Sequence, residues 1–302
     1  MKSHRIDLKN IARRAMIERD LLPDFSAAAI AELARIQAAA NDRHSDMRDL
    51  TNLLWASIDN DDSRDLDQLT VAELHPDRSV KILVAIADVD ALVTKDSALD
   101  AHAEHNTTSV YTAGDMFPML PEPLSTDLTS LGEGQDRLAI IVEMVIAEDG
   151  AVLSSTLFRA LVHNHAKLAY NGVAAWLAGT APAPERVTDV SGLDAQLRLQ
   201  DQVAQRLKAR RHQQGALSLE TIEPRAVFEG EVLTDLRVEQ KNRAKELIED
   251  FMIAANQATV SYLRGKGVHS FRRILRSPER WQRIIEVAAR WGEHLPPEPD
   301  AR

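Results

Sequence analysis

The sequence predicts an α+β fold: a mixed, β-rich core flanked by helices, with a helical segment leading into it. Three observations carry that prediction. Helix-favouring segments occupy residues 8–40 and return near 193–214 and 240–264. Between them lie short β-favouring runs at 53–59 and 79–89 and a longer one at 137–162. A stretch dotted with proline and glycine, 116–134, separates these runs and is too broken for regular structure. The 302 residues, 44% hydrophobic and 27% charged, suit about two domains with a substantial core.

Taken in order, residues 8–40 read as two helices broken at Leu22-Pro23, because proline disfavours helix at the residue before it. Ser26 is a good N-cap for the second. The polar stretch 41–48 reads as a linker, dividing a helical segment 1–45 from a larger unit 46–302. The runs LLWASID (53–59) and SVKILVAIADV (79–89) are expected to pair across the acidic segment between them. RLAIIVEMVIAEDGAVLSSTLFRALV (137–162) reads as two strands turning at Glu148-Asp149-Gly150. In the helix near 240–264, Ala244, Leu247, Ile248, Phe251, Met252 and Ala255 form an apolar stripe. Residues 272–291 read as a basic amphipathic helix, and the Pro-rich ending as a loop.

The chain has no cysteine, which excludes thiolate nucleophiles, disulfide scaffolds and Cys-based metal sites. The opening MKSHRIDLKN has no apolar core of a signal peptide, and no run of 18 apolar residues occurs, so no membrane partner and a cytoplasmic location are expected. The net charge of −10 is uneven. Residues 51–150 carry 5 basic and 20 acidic side chains, whereas residues 198–290 carry 18 and 12. Acidity is therefore local, and a polyanion could still be bound by the later half.

The densest feature is SIDNDDSRDLDQ (57–68), with Asp59, Asp61, Asp62, Asp65 and Asp67 close together. Such like charges repel unless a cation neutralises some of them. Hard carboxylate oxygens suit magnesium, manganese or calcium; a solvated acidic loop is the plainer alternative. An EF-hand calcium loop fits poorly, since Arg64 stands where glycine is needed and Thr70 where glutamate is. Magnesium takes few protein carboxylates and leaves room for phosphate oxygens, which makes phosphodiester hydrolysis the natural chemistry.

The string SIDNDDSRDLDQ, followed by ILVAIADVDALV and TSVYTAGDMFPMLPEPLSTDLTSL, resembles the catalytic domain of the ribonuclease II / ribonuclease R exoribonucleases, the RNB family. HAKLAY (165–170), RRHQQGALSL (210–219) and ELIEDFMIAAN (246–256) extend the resemblance over roughly 46–275. It implies processive, magnesium-dependent hydrolysis of single-stranded RNA from the 3′ end, releasing nucleoside 5′-monophosphates, with manganese as a second candidate cation. Asp59, Asp65 and Asp67 match three of four family aspartates. The fourth position is Gln68, whose amide oxygen can ligate without adding charge. Tyr111 matches the tyrosine that holds the 3′-terminal nucleotide, while Tyr170 and Glu249 match ribose contacts. On its own residues, Tyr111 also fits a core tyrosine and Glu249 the edge of the apolar stripe.

Leu219 stands where larger members place an aromatic clamp on the bases, and a leucine cannot stack a π-face. Arg206, Lys208, Arg210 and Arg211 form either a phosphate-tracking patch or a solvated helix face. Asp88 reads as structural, and His163 and His165 as histidines without a metal role. The resemblance further implies OB-type RNA-binding domains and a C-terminal arginine motif, and places that motif beyond Arg302. The 46–302 unit is thus expected to be incomplete at its C-terminal end, with the remainder missing or separately encoded. Gln68 keeps a second class open, a non-catalytic RNA-binding or regulatory module. A purely structural calcium loop is the third.

Overall fold

The computed structural model describes residues 4–40, 47–216, 223–230, 232–239, 241–270 and 280–299. The chain opens with α1 (His4–Glu18) and α2 (Ala27–Leu33). The break at Pro23 falls between them, and the Ser26 hydroxyl caps α2 by accepting the Ala29 N–H at 3.1 Å. Residues 41–46 of the expected linker lie outside the described residues.

A seven-stranded mixed sheet follows, built from β1 (Arg48–Asp49), β2 (Ala56–Asp59), β3 (Gln68–Leu74), β4 (Val80–Ala87) and three later strands. Helix α3 (Ala98–Asn106) and a two-stranded ribbon, β5 (Val110–Tyr111) with β6 (Met116–Phe117), interrupt it. The sheet resumes with β7 (Asp136–Ile146), β8 (Val152–His163) and β9 (Ala166–Ala169). Its order is β1-β8-β7-β4-β3-β2-β9. The β1–β8 and β2–β9 pairs are parallel and the rest antiparallel. The flanking helices are α4 (Tyr170–Leu177), α5 (Glu185–Asp189), α6 (Leu193–Gln213) and α7 (Arg243–Gly265). A hairpin of β10 (Glu223–Glu229) and β11 (Val232–Glu239) joins α6 to α7, and α8 (Trp281–Arg290) lies near the end.

The β-rich core flanked by helices is therefore the architecture, with two corrections: the stretch 116–134, expected to lack regular structure, holds β6 and a short helix over Leu124–Leu128, and the strand pairing differs. Strands β2 and β4 do not pair with each other, because β3 lies between them and bonds to both. QLTVAEL hides in the acidic context, yet its Leu69, Thr70, Val71 and Ala72 are all buried. Helix α4 and the β10–β11 hairpin lie outside the elements expected from the sequence.

Strand β4 is central and buried on both faces, which explains its nearly unbroken apolar run. Ile82 and Val84 face the helices α4 to α7, where Trp176, Leu197, Leu207, Leu247 and Phe251 complete the main core. Leu83 and Ala85 face the opposite side, with Trp55, Leu69, Leu131 and Ile141. Fully burying a Phe or Leu side chain contributes about 1.5–3 kcal/mol, so this core supplies most of the fold's stability. Helix α6 is also fastened by buried amides: Gln196 accepts from the Ala72 N–H at 2.9 Å, and Gln200 accepts from the Thr70 hydroxyl at 2.7 Å.

The β7–β8 hairpin turns at the expected residues. Gly150 has φ +81° and lies so close to Arg206 that a Cβ would stand 2.4 Å from its carbonyl oxygen. Only glycine fits there. In the lead-in, the Glu32 carboxylate accepts from the Ala98 and Leu99 N–H groups at 2.8 and 3.2 Å, capping α3 from α2. Ala29, Leu99, Leu120 and Leu124 bury the contact between these segments.

Candidate active site

Strands β2 and β3 are in register only at Ala56 and Thr70, so they part at the end of β2 and leave residues 60–67 as a loop. Leu66 anchors the loop. It is buried, its N–H donates to the Ser130 hydroxyl at 2.9 Å, and its carbonyl accepts from Leu131 at 2.8 Å. The Ser130 hydroxyl in turn donates to the Arg64 carbonyl at 3.0 Å. The SL of the LTSL stretch therefore fixes the loop from 64 residues away. The Ala87 N–H holds the Asp67 carbonyl at 3.0 Å, and Arg64 pairs with Glu122 of the MLPEPLS motif at 2.7 Å.

The anchored loop presents three carboxylates together. Asp59, at the end of β2, accepts on Oδ1 from the Asn60 N–H and the Ser63 hydroxyl, each at 2.7 Å. Asp67 is crowded by protein atoms and faces the charges of Asp65 and Asp59; desolvation first, then this repulsion, pushes its carboxyl up to about 6. Its side chain still reaches solvent, so the site is a cleft with an open mouth. Tyr111, on the short β5, donates its hydroxyl to Asp65 Oδ2 at 3.2 Å, and its ring is 67% exposed. Burial of the phenol end, then the charge of Asp65, raises its pKa. Tyr170 begins α4 immediately after Ala169, which pairs with Asp59. Burial and the Asp59 charge push its phenol up to about 12. Both tyrosines thus stay protonated as hydrogen-bond donors near neutral pH.

A cleft of about 780 Å³ adjoins this cluster, lined by Ser63, Asp65, Tyr111 and Met116, with Ala226 and Leu236 contributed by the β10–β11 hairpin. Gln68 directly follows Asp67 and opens β3 opposite Ile86. Among the described residues no three His, Cys, Asp or Glu side chains stand in ready metal-ligand geometry. The donor chemistry nevertheless fits a hard divalent cation, which takes one or two carboxylates and completes its shell with water and phosphate oxygens. Uncompensated repulsion at Asp67 is what such a cation would relieve.

Five of the candidate residues, Asp59, Asp65, Asp67, Tyr111 and Tyr170, therefore meet at one end of the sheet. Other candidates have partners of their own. Glu249 pairs with Lys241 at 2.6 Å, next to the start of α7. Leu219 lies outside the described residues. In the basic run of α6, Lys208 pairs with Glu246 at 2.8 Å, Arg210 with Asp149 at 2.7 Å and Arg211 with Asp250 at 2.7 Å. These side chains project from α6 toward carboxylates of α7 and of the β7–β8 turn, which satisfies them inside the fold. Asp88 is buried against Arg159 at 2.8 Å, in keeping with a structural role. His163 and His165 bond to Asp136 and to the Thr51 carbonyl. Ser63, Ser130 and Lys167 shape the site but were not marked in the sequence. Only Ser63 had a local signal, a hydroxyl four residues after an aspartate.

The family model described as the RNB domain matches residues 47–295. The chain belongs to the RNB family. Ribonuclease R of Vibrio parahaemolyticus is 36% identical over 231 residues, which is 76% of this RNB chain and 27% of that protein. Exoribonuclease 2 of Cronobacter sakazakii is 35% identical over 231 residues, 74% of this chain and 35% of that one. The RNB chain thus spans about a quarter to a third of the length of these curated relatives. Mycoplasma genitalium RNase R, solved in complex with ribose-methylated single-stranded RNA, superposes with a TM-score of 0.81 at 24% identity. That match covers 92% of this chain and 43% of the RNase R chain, and at this identity it establishes the shared fold.

Proposed function

We propose that this RNB chain carries the catalytic site of a hydrolytic, processive 3′→5′ exoribonuclease acting on single-stranded RNA and releasing nucleoside 5′-monophosphates. The observation that carries the reading is the clustering of Asp59, Asp65, Asp67, Tyr111 and Tyr170 at one end of the sheet, with Asp65 and Tyr111 lining the adjoining cleft. The names of the curated relatives and the RNA complex of the structural neighbour support it. Asp59, Asp65 and Asp67, with the Gln68 amide oxygen, are the residues to hold magnesium, manganese also fitting the same donors. When bound, such a cation supplies charge neutralisation and polarisation at the scissile phosphate.

The chain's own groups do the rest. The exposed Tyr111 ring offers a face to the terminal nucleotide while its hydroxyl is oriented by Asp65. Tyr170 keeps a proton to donate, which suits a ribose hydroxyl, and Glu249 is the second ribose contact once it exchanges Lys241 for substrate. Arg210 and Arg211 contact RNA only if they give up Asp149 and Asp250. Leu219 supplies apolar contact to the bases. A missing or separately encoded portion with an OB-type domain, as the family resemblance implies, would extend the RNA path. No helix among the described residues is long and apolar enough to cross a membrane.

The test is digestion of a single-stranded RNA by the chain with magnesium. Release of mononucleotides from the 3′ end, lost in Asp67→Asn, is the expected result. RNA binding without release would favour the non-catalytic reading that Gln68 motivates, and equal release by Asp67→Asn would overturn the assignment of the site.

A further inference from the structure

One ammonium reaches into the acidic loop without pairing with any of its carboxylates. Lys167 lies on β9, in parallel register with Ser57 of β2. Its backbone N–H donates to Glu133 at 3.0 Å, and Arg186 holds the same carboxylate at 2.7 Å, so the strand position is fixed. From there its Nζ donates to the Ser63 carbonyl at 2.5 Å and to the Asp61 carbonyl at 3.4 Å. Ser63 passes this restraint on, because its hydroxyl donates to Asp59 Oδ1 at 2.7 Å. A relay therefore runs from the Lys167 ammonium, through the carbonyl and the hydroxyl of Ser63, to one oxygen of Asp59. The Asn60 N–H also binds Oδ1, and among the described residues Oδ2 of Asp59 carries no hydrogen bond.

We propose that Lys167 is a positioning residue for divalent-cation binding, holding the loop through Ser63 so that Asp59 presents Oδ2 to the ion. The inference rests on the cation assignment made under Proposed function. Two effects of the lysine oppose each other. Its positive charge repels an incoming cation, whereas its hydrogen bonds hold together a loop whose carboxylates repel. If positioning dominates, removing the lysine weakens cation binding; if charge dominates, removal strengthens it. The sign of the change decides.

The experiment is Mn²⁺ binding to the full chain, read by electron paramagnetic resonance, beside the melting temperature without metal. Lys167→Met is expected to weaken Mn²⁺ binding about tenfold, the usual cost of losing a group that orients a ligand. Lys167→Arg should restore affinity to within about twofold, since its donors can reach the same carbonyls. Ser63→Ala should weaken binding by about as much, again the cost of losing an orienting group. The double variant should be no worse than the weaker single one, because both cut one relay. Tighter or unchanged binding in Lys167→Met, or additive losses in the double variant, would overturn the proposal. A lower melting temperature with unchanged affinity would overturn it too, by reducing Lys167 to a structural brace. Should Lys167→Met not fold, Ser63→Ala alone decides: unchanged affinity there overturns the relay. Failure of the unsubstituted chain to bind Mn²⁺ would overturn the cation assignment itself, an outcome distinct from failure of the relay alone.

Discussion

The acidic end of the sheet and the α6–α7 face are both dense in charge, but they handle it in opposite ways. On α6–α7, Lys208, Arg210, Arg211, Lys241 and Arg243 meet Glu246, Asp149, Asp250, Glu249 and Asp201 one to one. At the β2–β3 end, Asp59, Asp65 and Asp67 make no ion pair among the described residues, and Asp67 is pushed up to about 6 by burial and its neighbours. Matched charges belong to the architecture, since each is satisfied within the fold. Unmatched charges of one sign, held together by Leu66, Ser130 and Lys167, tax stability and make sense where something from outside completes them.

Four substitutions can break or sharpen this contrast. The largest effect is expected for Asp67→Asn: mononucleotide release falls about a thousandfold. Its melting temperature should hold or rise, because a desolvated, repelled carboxylate is gone. A clear drop in melting temperature would mean that the acidic end is ordinary architecture. Next, Arg211→Met strands the buried Asp250 carboxylate and should cost about 3 kcal/mol at pH 7, read by urea unfolding.

That loss has a defined pH dependence. Burial already raises the Asp250 carboxyl in the folded chain despite Arg211, so the native state takes up its proton at higher pH than the unfolded state does. Losing Arg211 raises it further. The destabilisation is therefore full above the folded-state pKa and is relieved as pH falls through it. A loss that grew on acidification would contradict the assignment of this pair.

Ser130→Ala comes third, at about 2 kcal/mol, because the buried Leu66 N–H loses its acceptor. It should also slow release, since the loop bearing Asp65 and Asp67 loosens. Full activity in a destabilised Ser130→Ala chain would separate loop anchoring from function. The smallest effect is expected for Glu122→Gln. Both partners of the Arg64–Glu122 pair are exposed, so stability should change by no more than about 0.5 kcal/mol in the same unfolding assay.

Much of this was legible in the sequence. The aspartate cluster and the α6 and α7 helices stood out because local pattern determines them, a short motif, a strand beside it, an apolar stripe, whereas Tyr111 came from the family resemblance. Strand β3 did not stand out, because its Gln68 and Glu73 continue the polar stretch, and only its neighbours bury Leu69 to Ala72. The ion pairs of the basic run on α6 were not legible for a related reason. A row of arginines looks alike whether it faces water or α7, and the carboxylates that satisfy it are up to 61 residues away. Ser130 and Lys167 reach the loop across 64 and 104 residues, beyond any local pattern.

The parallel pairing of β2 with β9 has a consequence in time. Asp59 and its partner Ala169 are about 110 residues apart along the chain, and Tyr170 comes after both. At a synthesis rate of about 5–20 residues per second, the acidic loop leaves the ribosome on the order of 5–20 s before the strand and tyrosine that close the site beside it. Loop closure over such a span is also slow compared with local helix formation. A nascent chain therefore displays its aspartates well before the strand beside them exists, and the acidic end of the sheet is complete only once that strand has arrived.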